Sequence, residues 1–428
     1  MGTHVGVNSW LRALLLSLAG MLFGACADPA PRASGTKPAR GPVTAVPGVP
    51  LATVAIARGD AVRGRELVQR FECNRCHEGT GLGSAPLAKN CFSCHEQISR
   101  GNFPVAAAAL ARFQAHVASA REAPSLLALG SRLEERWLVE YLLAPRDLRP
   151  KLTPTMPRLP IEPAQAADIA AYLTVNRTSR VPPTAGPGSA SRGRELIDQK
   201  GCIGCHAFSG VPPFAALEAP PAGSDAARAA ALAPDLRFTR DRFRSDQLLA
   251  WLLDPQAIKP DTRMPNFGLA RDEAADIAAY LLGAALAPEP VVAPFVRLPL
   301  LSRPVSFEEA NRQVFSRTCH HCHTDAEGAG GDGGPGNTGG FGFAPRGVSF
   351  SSHASILAGY VDAKGERRSL FEPVADGTPR LVAALLARHD EVRSAPRETV
   401  RGMPLGLPPL SAEDIQLVES WLSQGKPL

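Results

Sequence analysis

The chain has 428 residues, enough for two to four domains, and 44% of them are hydrophobic, so each has material for a core. The formal net charge is +5 with no long basic run, which argues against a nucleic-acid partner. Aromatics make up only 6%, a lean supply for cores that must be filled with flat apolar surface.

The first element in the chain reads as an export signal. Arg12 precedes a largely apolar run, Ala13 to Phe23, too short for a membrane span. Two processing sites compete. Ala25-Cys26-Ala27 fits cleavage after Ala27. Leu22-Phe-Gly-Ala-Cys26 is similar to a bacterial lipobox, with cleavage before Cys26 and acylation of its thiol, although Phe23 stands where Leu is usual. Cys26 is the one cysteine outside the motifs described next, which favours the lipid; such an anchor would hold the protein to a membrane without spanning it. Residues 28–58, rich in Ala, Pro, Gly and Thr, read as a flexible tether after a signal over 1–27.

The other eight of the nine cysteines lie in four copies of one pattern. They are Cys73-Asn-Arg-Cys76-His77, Cys91-Phe-Ser-Cys94-His95, Cys202-Ile-Gly-Cys205-His206 and Cys319-His-His-Cys322-His323. C-x-x-C-H is the attachment site of a c-type haem: two thiols bond to the porphyrin edge and the His ligates iron. Redox disulfides and zinc sites also use C-x-x-C pairs, but neither needs a His after the second Cys every time. Four covalently bound c-type haems are therefore expected, and they would supply the flat apolar surface that the composition lacks. Covalent haem in bacteria also places the mature chain outside the cytoplasm, in the periplasm or tethered at a membrane.

Apolar residues recur at spacings of three and four before each motif and after each Met-Pro, and no run alternates like a strand, so the chain is expected to be all-α. Pro-rich stretches at 181–190 and 285–305 read as linkers that separate blocks over 59–180, 191–284 and 306–428. The first two blocks repeat each other. Arg63-Gly-Arg-Glu-Leu67 matches Arg192-Gly-Arg-Glu-Leu196, and Asp168-Ile-Ala-Ala-Tyr-Leu173 matches Asp276-Ile-Ala-Ala-Tyr-Leu281. His206 to Pro234 spans 28 positions but His77 to Pro124 spans 47, so the first block carries an insertion of 19, placed where Cys91–His95 sits. The insertion is expected to be a second haem-binding loop followed by a helix over 104–121.

Each block resembles a class I cytochrome c domain: an N-terminal helix, C-x-x-C-H, a loop, a Met-Pro segment and a C-terminal helix bearing an aromatic. The resemblance covers roughly residues 59–428 and implies three tandem domains. It implies a close crossing of the terminal helices at Gly64, Gly193 and Ala310, opposite Tyr172, Tyr280 and Trp421. It implies a Pro carbonyl behind each proximal His, matched by Pro124 and Pro234, with Pro345 in the third block.

The iron ligands expected are His77, His95, His206 and His323 on one face, and Met156, Met264 and Met403, each before a Pro, on the other. No methionine remains for the inserted haem. His116 is the nearest candidate, and its alternative reading is an exposed helix residue that leaves the iron open. His353 and His389 could compete with Met403 but read as surface or supporting residues, and His320 and His321 read as the variable middle of the fourth motif, not as ligands. Residues 328–342 contain formal G-x-G-x-x-G matches with no strand before or helix after, so they read as a loop.

The expected function is single-electron carriage by a tetrahaem c-type cytochrome between a periplasmic or membrane-bound donor and an acceptor, partnered by a dehydrogenase or respiratory complex. The alternative is a haem enzyme acting on a small ligand such as peroxide at the inserted haem, if its sixth position is open.

Overall fold

The computed structural model describes residues 58–114, 117, 122–152, 156–179, 186–324, 340–393 and 400–428. Cys26, His116 and residues 325–339 lie outside the described residues. The chain is all-α, as its periodicity predicts. In order the helices are α1 (Ala61–Arg70), α2 (Cys91–Arg100), α3 (Ala107–Gln114), α4 (Glu135–Leu143), α5 (Pro163–Thr174), α6 (Ala190–Gln199), α7 (Asp225–Leu232), α8 (Thr239–Arg242), α9 (Ser245–Leu253), α10 (Pro255–Ile258), α11 (Arg271–Gly283), α12 (Phe307–Ala310), α13 (His353–Ala358), α14 (Arg380–Val392) and α15 (Ala412–Ser423). The only paired strands among the described residues are β1 (Tyr360–Val361) and β2 (Arg367–Arg368), an antiparallel hairpin.

Local chemistry starts the helices. The Asp60 carboxylate accepts from the backbone N–H groups of Val62 and Arg63 at 2.8 and 3.0 Å, which satisfies two orphan donors of α1. Proline opens α5 at a position where no N–H is needed. These two helices cross at Gly64, where a Cβ would stand 1.9 Å from the Asp168 carbonyl oxygen. Helices α6 and α11 repeat the crossing at Gly193, where a Cβ would stand 2.0 Å from the Asp276 carbonyl oxygen. The two aspartates also tie each crossing with their side chains. Arg63 donates twice to the Asp168 carboxylate, at 2.9 Å each, and Asp60 N–H adds a third bond at 2.7 Å. Ser189 N–H donates to Asp276 at 2.6 Å, and Arg192 pairs with it at 3.1 Å.

In the last segment α12 runs on into a π-helix, Asn311–Cys319, in which His320 N–H reaches back five residues to the Phe315 carbonyl at 2.9 Å. Ala310 and Trp421 of α15 are completely buried where these elements meet.

Residues 55–428 form one compact unit. Its largest core joins Leu133, Trp137 and Leu138 to Phe243, Leu248, Ile277 and Leu281, so the two repeats share a core. A second core gathers Phe315, Phe350, Ile356, Leu385, Ile415 and Trp421. The segment 285–305 lies along the second core: Leu301 N–H donates to Ser420 Oγ and Val305 N–H to Gln424 Oε1, both at 2.8 Å. Among the described residues no helix is long and apolar enough to cross a membrane.

Candidate haem sites

The first and third motifs fold alike. Cys73–Arg75 and Cys202–Gly204 are single 3₁₀ turns, each entered through a residue in the left-handed region, Glu72 (φ 51°) and Gly201 (φ 68°). The turns close with His77 N–H on the Cys73 carbonyl at 2.9 Å and His206 N–H on the Cys202 carbonyl at 3.0 Å. That tight closure brings both thiols and the imidazole to one wall.

Behind each imidazole stands the proline carbonyl expected from the resemblance. His77 Nδ1–H donates to Pro124 at 2.8 Å and His206 Nδ1–H to Pro234 at 2.7 Å. This bond fixes the tautomer, so Nε2 carries the free lone pair that a metal takes. Burial pushes both imidazole pKa values down, against the carbonyls that raise them, and keeps the rings neutral. Burial likewise pushes the Cys73 thiol up to about 12 and the Cys202 thiol up to about 11.

Met156 and Met264 line the same cavities as these walls. A cavity of about 210 Å³ is lined by Cys73, Cys76, His77 and Met156. A larger one, about 1100 Å³, is lined by Cys202, Cys205, His206 and Met264, and reaches Cys76 and His77 as well.

Between the two cavities lies a group that sequence reading missed. Arg132, Arg149 and Arg242 line both. Burial pushes Arg132 down to about 10 and Arg242 down to about 9, and the Arg149 charge beside them adds to both shifts. The Nε atoms of Arg132 and Arg242 are buried without a hydrogen-bond partner, and among the described residues none of the three forms an ion pair. Three like charges, Arg242 buried and Arg132 and Arg149 half-buried, call for anions, and the carboxylates of a haem at each cavity are suited to that role. The apolar walls, neutral imidazoles and cationic partition fit the group that the motifs imply.

The fourth motif departs from this pattern. Burial pushes His323 down to about 4 and the Cys319 thiol up to about 12. His323 Nδ1 is buried without a hydrogen bond, and the backbone carbonyl that bears on it is Val348's, not the expected Pro345's. Met403 is half-buried and its N–H donates to Ala384 on α14 at 2.9 Å. His353 and His389 each turn Nε2 to a backbone carbonyl, of Lys426 and Leu410 at 2.9 Å, as supporting residues do.

The inserted motif corrects an expectation. Cys91, Cys94 and His95 do not lie in a loop; they form the first turns of α2, started by Asn90, whose side chain accepts from Ser93 N–H at 3.0 Å. Asn90 is a strong helix start and Gly101 a strong stop, and the ten residues between hold no breaker. The Cys76 and Cys91 thiols are hydrogen-bonded to each other, which pulls Cys91 down to about 6 and raises Cys76, so the first two motifs touch. The expected second helix is described over Ala107–Gln114 only, and His116 lies beyond it.

Comparison with known proteins agrees with this geometry. The family model for cytochrome c matches residues 190–285, the segment holding His206 and Met264. The chain is 35% identical to cytochrome c-552 of Bradyrhizobium diazoefficiens over 92 residues, which are 22% of this chain and 71% of that protein. No solved structure matches the chain. A family model seated on one complete cavity wall, and a relative matched over most of its length, show that this chain belongs to the cytochrome c family, as a c-type cytochrome that binds haem covalently and transfers electrons.

Proposed function

We propose that this chain is an exported tetrahaem cytochrome built from three tandem cytochrome c domains, the first with two haems. It would pass single electrons from a dehydrogenase or respiratory complex to an acceptor. The observation that carries the reading is the repetition of one wall. Four C-x-x-C-H motifs occur, and at two of them a proline carbonyl fixes the imidazole while a methionine lines the same cavity.

When bound, haem supplies a one-electron iron couple. The residues around it do the rest. Cys73 and Cys76, Cys91 and Cys94, Cys202 and Cys205, and Cys319 and Cys322 would hold the four macrocycles. His77, His206 and His323 would ligate iron opposite Met156, Met264 and Met403, and His95 would ligate the inserted one. Thioether ligation raises the reduction potential, so haems held opposite Met156, Met264 and Met403 would have the higher potentials. The apolar walls would keep water from the metal, and Arg132, Arg149 and Arg242 would balance the haem carboxylates. The export reading rests on the apolar run before Cys26, and a lipid on that thiol would keep the chain at a membrane.

The test is haem stoichiometry with peptide mass spectrometry on protein exported from a host able to attach c-type haem. Four haems per chain, one on each motif peptide, is the expected result; three or fewer overturns the tetrahaem reading. The mass of the mature N-terminus decides between acylated Cys26 and cleavage after Ala27.

A further inference from the structure

The inserted motif offers one iron ligand, His95, and no methionine stands free to be the other. The ring of His321 lies 6.0 Å from that of His95, centroid to centroid, with the planes inclined at 55°. Two imidazoles on opposite faces of one metal take a metal–nitrogen bond of about 2 Å each, plus roughly 1 Å from each nitrogen to its ring centre, so their centres lie about 6 Å apart. His321 also bears on Cys91, the first thiol of the same motif, and helps lower its pKa. The same histidine therefore lies beside both the attachment cysteine and the axial ligand.

We propose that His321, from the fourth motif, is the sixth ligand of the haem held by Cys91, Cys94 and His95. The proposal rests on that motif carrying haem and deepens the tetrahaem reading. The surroundings hold His321 for this role. Its neighbour His320 turns Nε2 to the Phe350 carbonyl at 2.7 Å, which fixes the backbone from which His321 projects. The π-helix Asn311–Cys319 ends directly before the pair, with His320 as its C-terminal cap. Phe341 N–H donates to Glu72 at 3.1 Å, and the Arg75 guanidinium lies 4.9 Å from the Phe341 ring, so the last segment is held against the first motif. A His/His iron has a lower potential than a Met/His one. This haem would be the low step between the first and last segments, and its closed coordination leaves no site for peroxide.

The experiment compares the full-length, haem-loaded protein with His321→Gly and His116→Ala variants. Near-infrared magnetic circular dichroism of the ferric protein reads the axial pair, and carbon monoxide added to the reduced protein reads open iron. Wild type and His116→Ala should show a His/His signature from a quarter of the haem and bind no carbon monoxide. His321→Gly should lose that signature and bind carbon monoxide at a quarter of the haem, and free imidazole should restore it. Imidazole rescue separates a lost ligand from a misfolded motif. Retention of the signature in His321→Gly, its loss in His116→Ala, or carbon monoxide binding by wild type each overturns the assignment. If the peptide carrying Cys91 and Cys94 bears no haem, the tetrahaem reading fails first and the assignment falls with it.

Discussion

At Gly64 and Gly193 the helices approach too closely for any side chain, because the nearest atom to a new Cβ is backbone carbonyl oxygen, which cannot turn away. Gly64→Ala or Gly193→Ala should therefore cost about 3 kcal/mol, at the upper end of overpacking, read from the denaturant midpoint. Gly283 is the control: it ends α11 with nothing within 4 Å of a new Cβ, so Gly283→Ala should be neutral or stabilise by up to about 1 kcal/mol. Equal effects at all three positions would refute the close crossing. These glycines were legible because they repeat at one distance from the motif. Asp168 was not, since an acid on an amphipathic helix reads as a solvated face. Its Arg63 partner holds its carboxyl below the usual carboxylate range. A lowered folded pKa means that the pair's contribution is present above the unfolded pKa and fades as pH falls through the folded one. Asp168→Asn should lose stability near neutral pH and show a flatter decline between about pH 5 and pH 2 than wild type. An unchanged acid limb in urea titrations would show that the pair contributes nothing.

The elements that hold the motifs differ in how far sequence reveals them. Motif spacing locates Cys73 and Cys202 but not their 3₁₀ turns, since the same spacing is α-helical at Cys91, and the Pro124 and Pro234 carbonyls follow from the family resemblance. The inserted motif was misread as loop because its position as an insertion outweighed the Asn90 start and Gly101 stop that bound α2. The arginine partition was invisible, since Arg132, Arg149 and Arg242 come from three separate stretches, and each alone reads as surface charge. Its consequence is electrostatic. For a haem bound in either cavity, a positive charge on the order of 10 Å from its iron would, at an effective dielectric of about 20, be worth about 1.7 kcal/mol, which corresponds to about 70 mV for one electron. Removing it favours the more positive ferric state. If the proposed haems occupy both cavities, Arg242→Gln should thus lower their potentials together by tens of mV, on the order that screening allows. A spectroelectrochemical titration in which only one haem moves, or none, would show that the partition does not serve both cavities.

Over the whole molecule, sequence divides what the fold joins. Pro-rich, aperiodic stretches read as linkers because nothing in their pattern buries a face, yet residues 285–305 are strapped to α15 by Ser420 and Gln424. The last segment also returns to the first: Arg401 donates to the Arg158 carbonyl, and its guanidinium lies 4.5 Å from the Phe343 ring. Such contacts join residues hundreds of positions apart and leave no local trace. The shared core has the sharpest consequence. Trp137 on α4 stacks on Tyr141 at 5.1 Å and lies 5.8 Å from the Arg242 guanidinium, in one cluster with Phe243 and Leu248 of the second repeat. Trp137→Ala opens a cavity that neither repeat can close alone, and large-to-small changes of this kind cost about 3–5 kcal/mol. If the core is common, the loss appears in both repeats at once. Unfolding of the two repeats, followed in denaturant by peptide-resolved hydrogen exchange, should shift to lower concentration as one transition, while the segment packed on Trp421 keeps its own midpoint. A variant in which the first repeat unfolds alone and the second keeps its wild-type midpoint would mean that the two cores are independent.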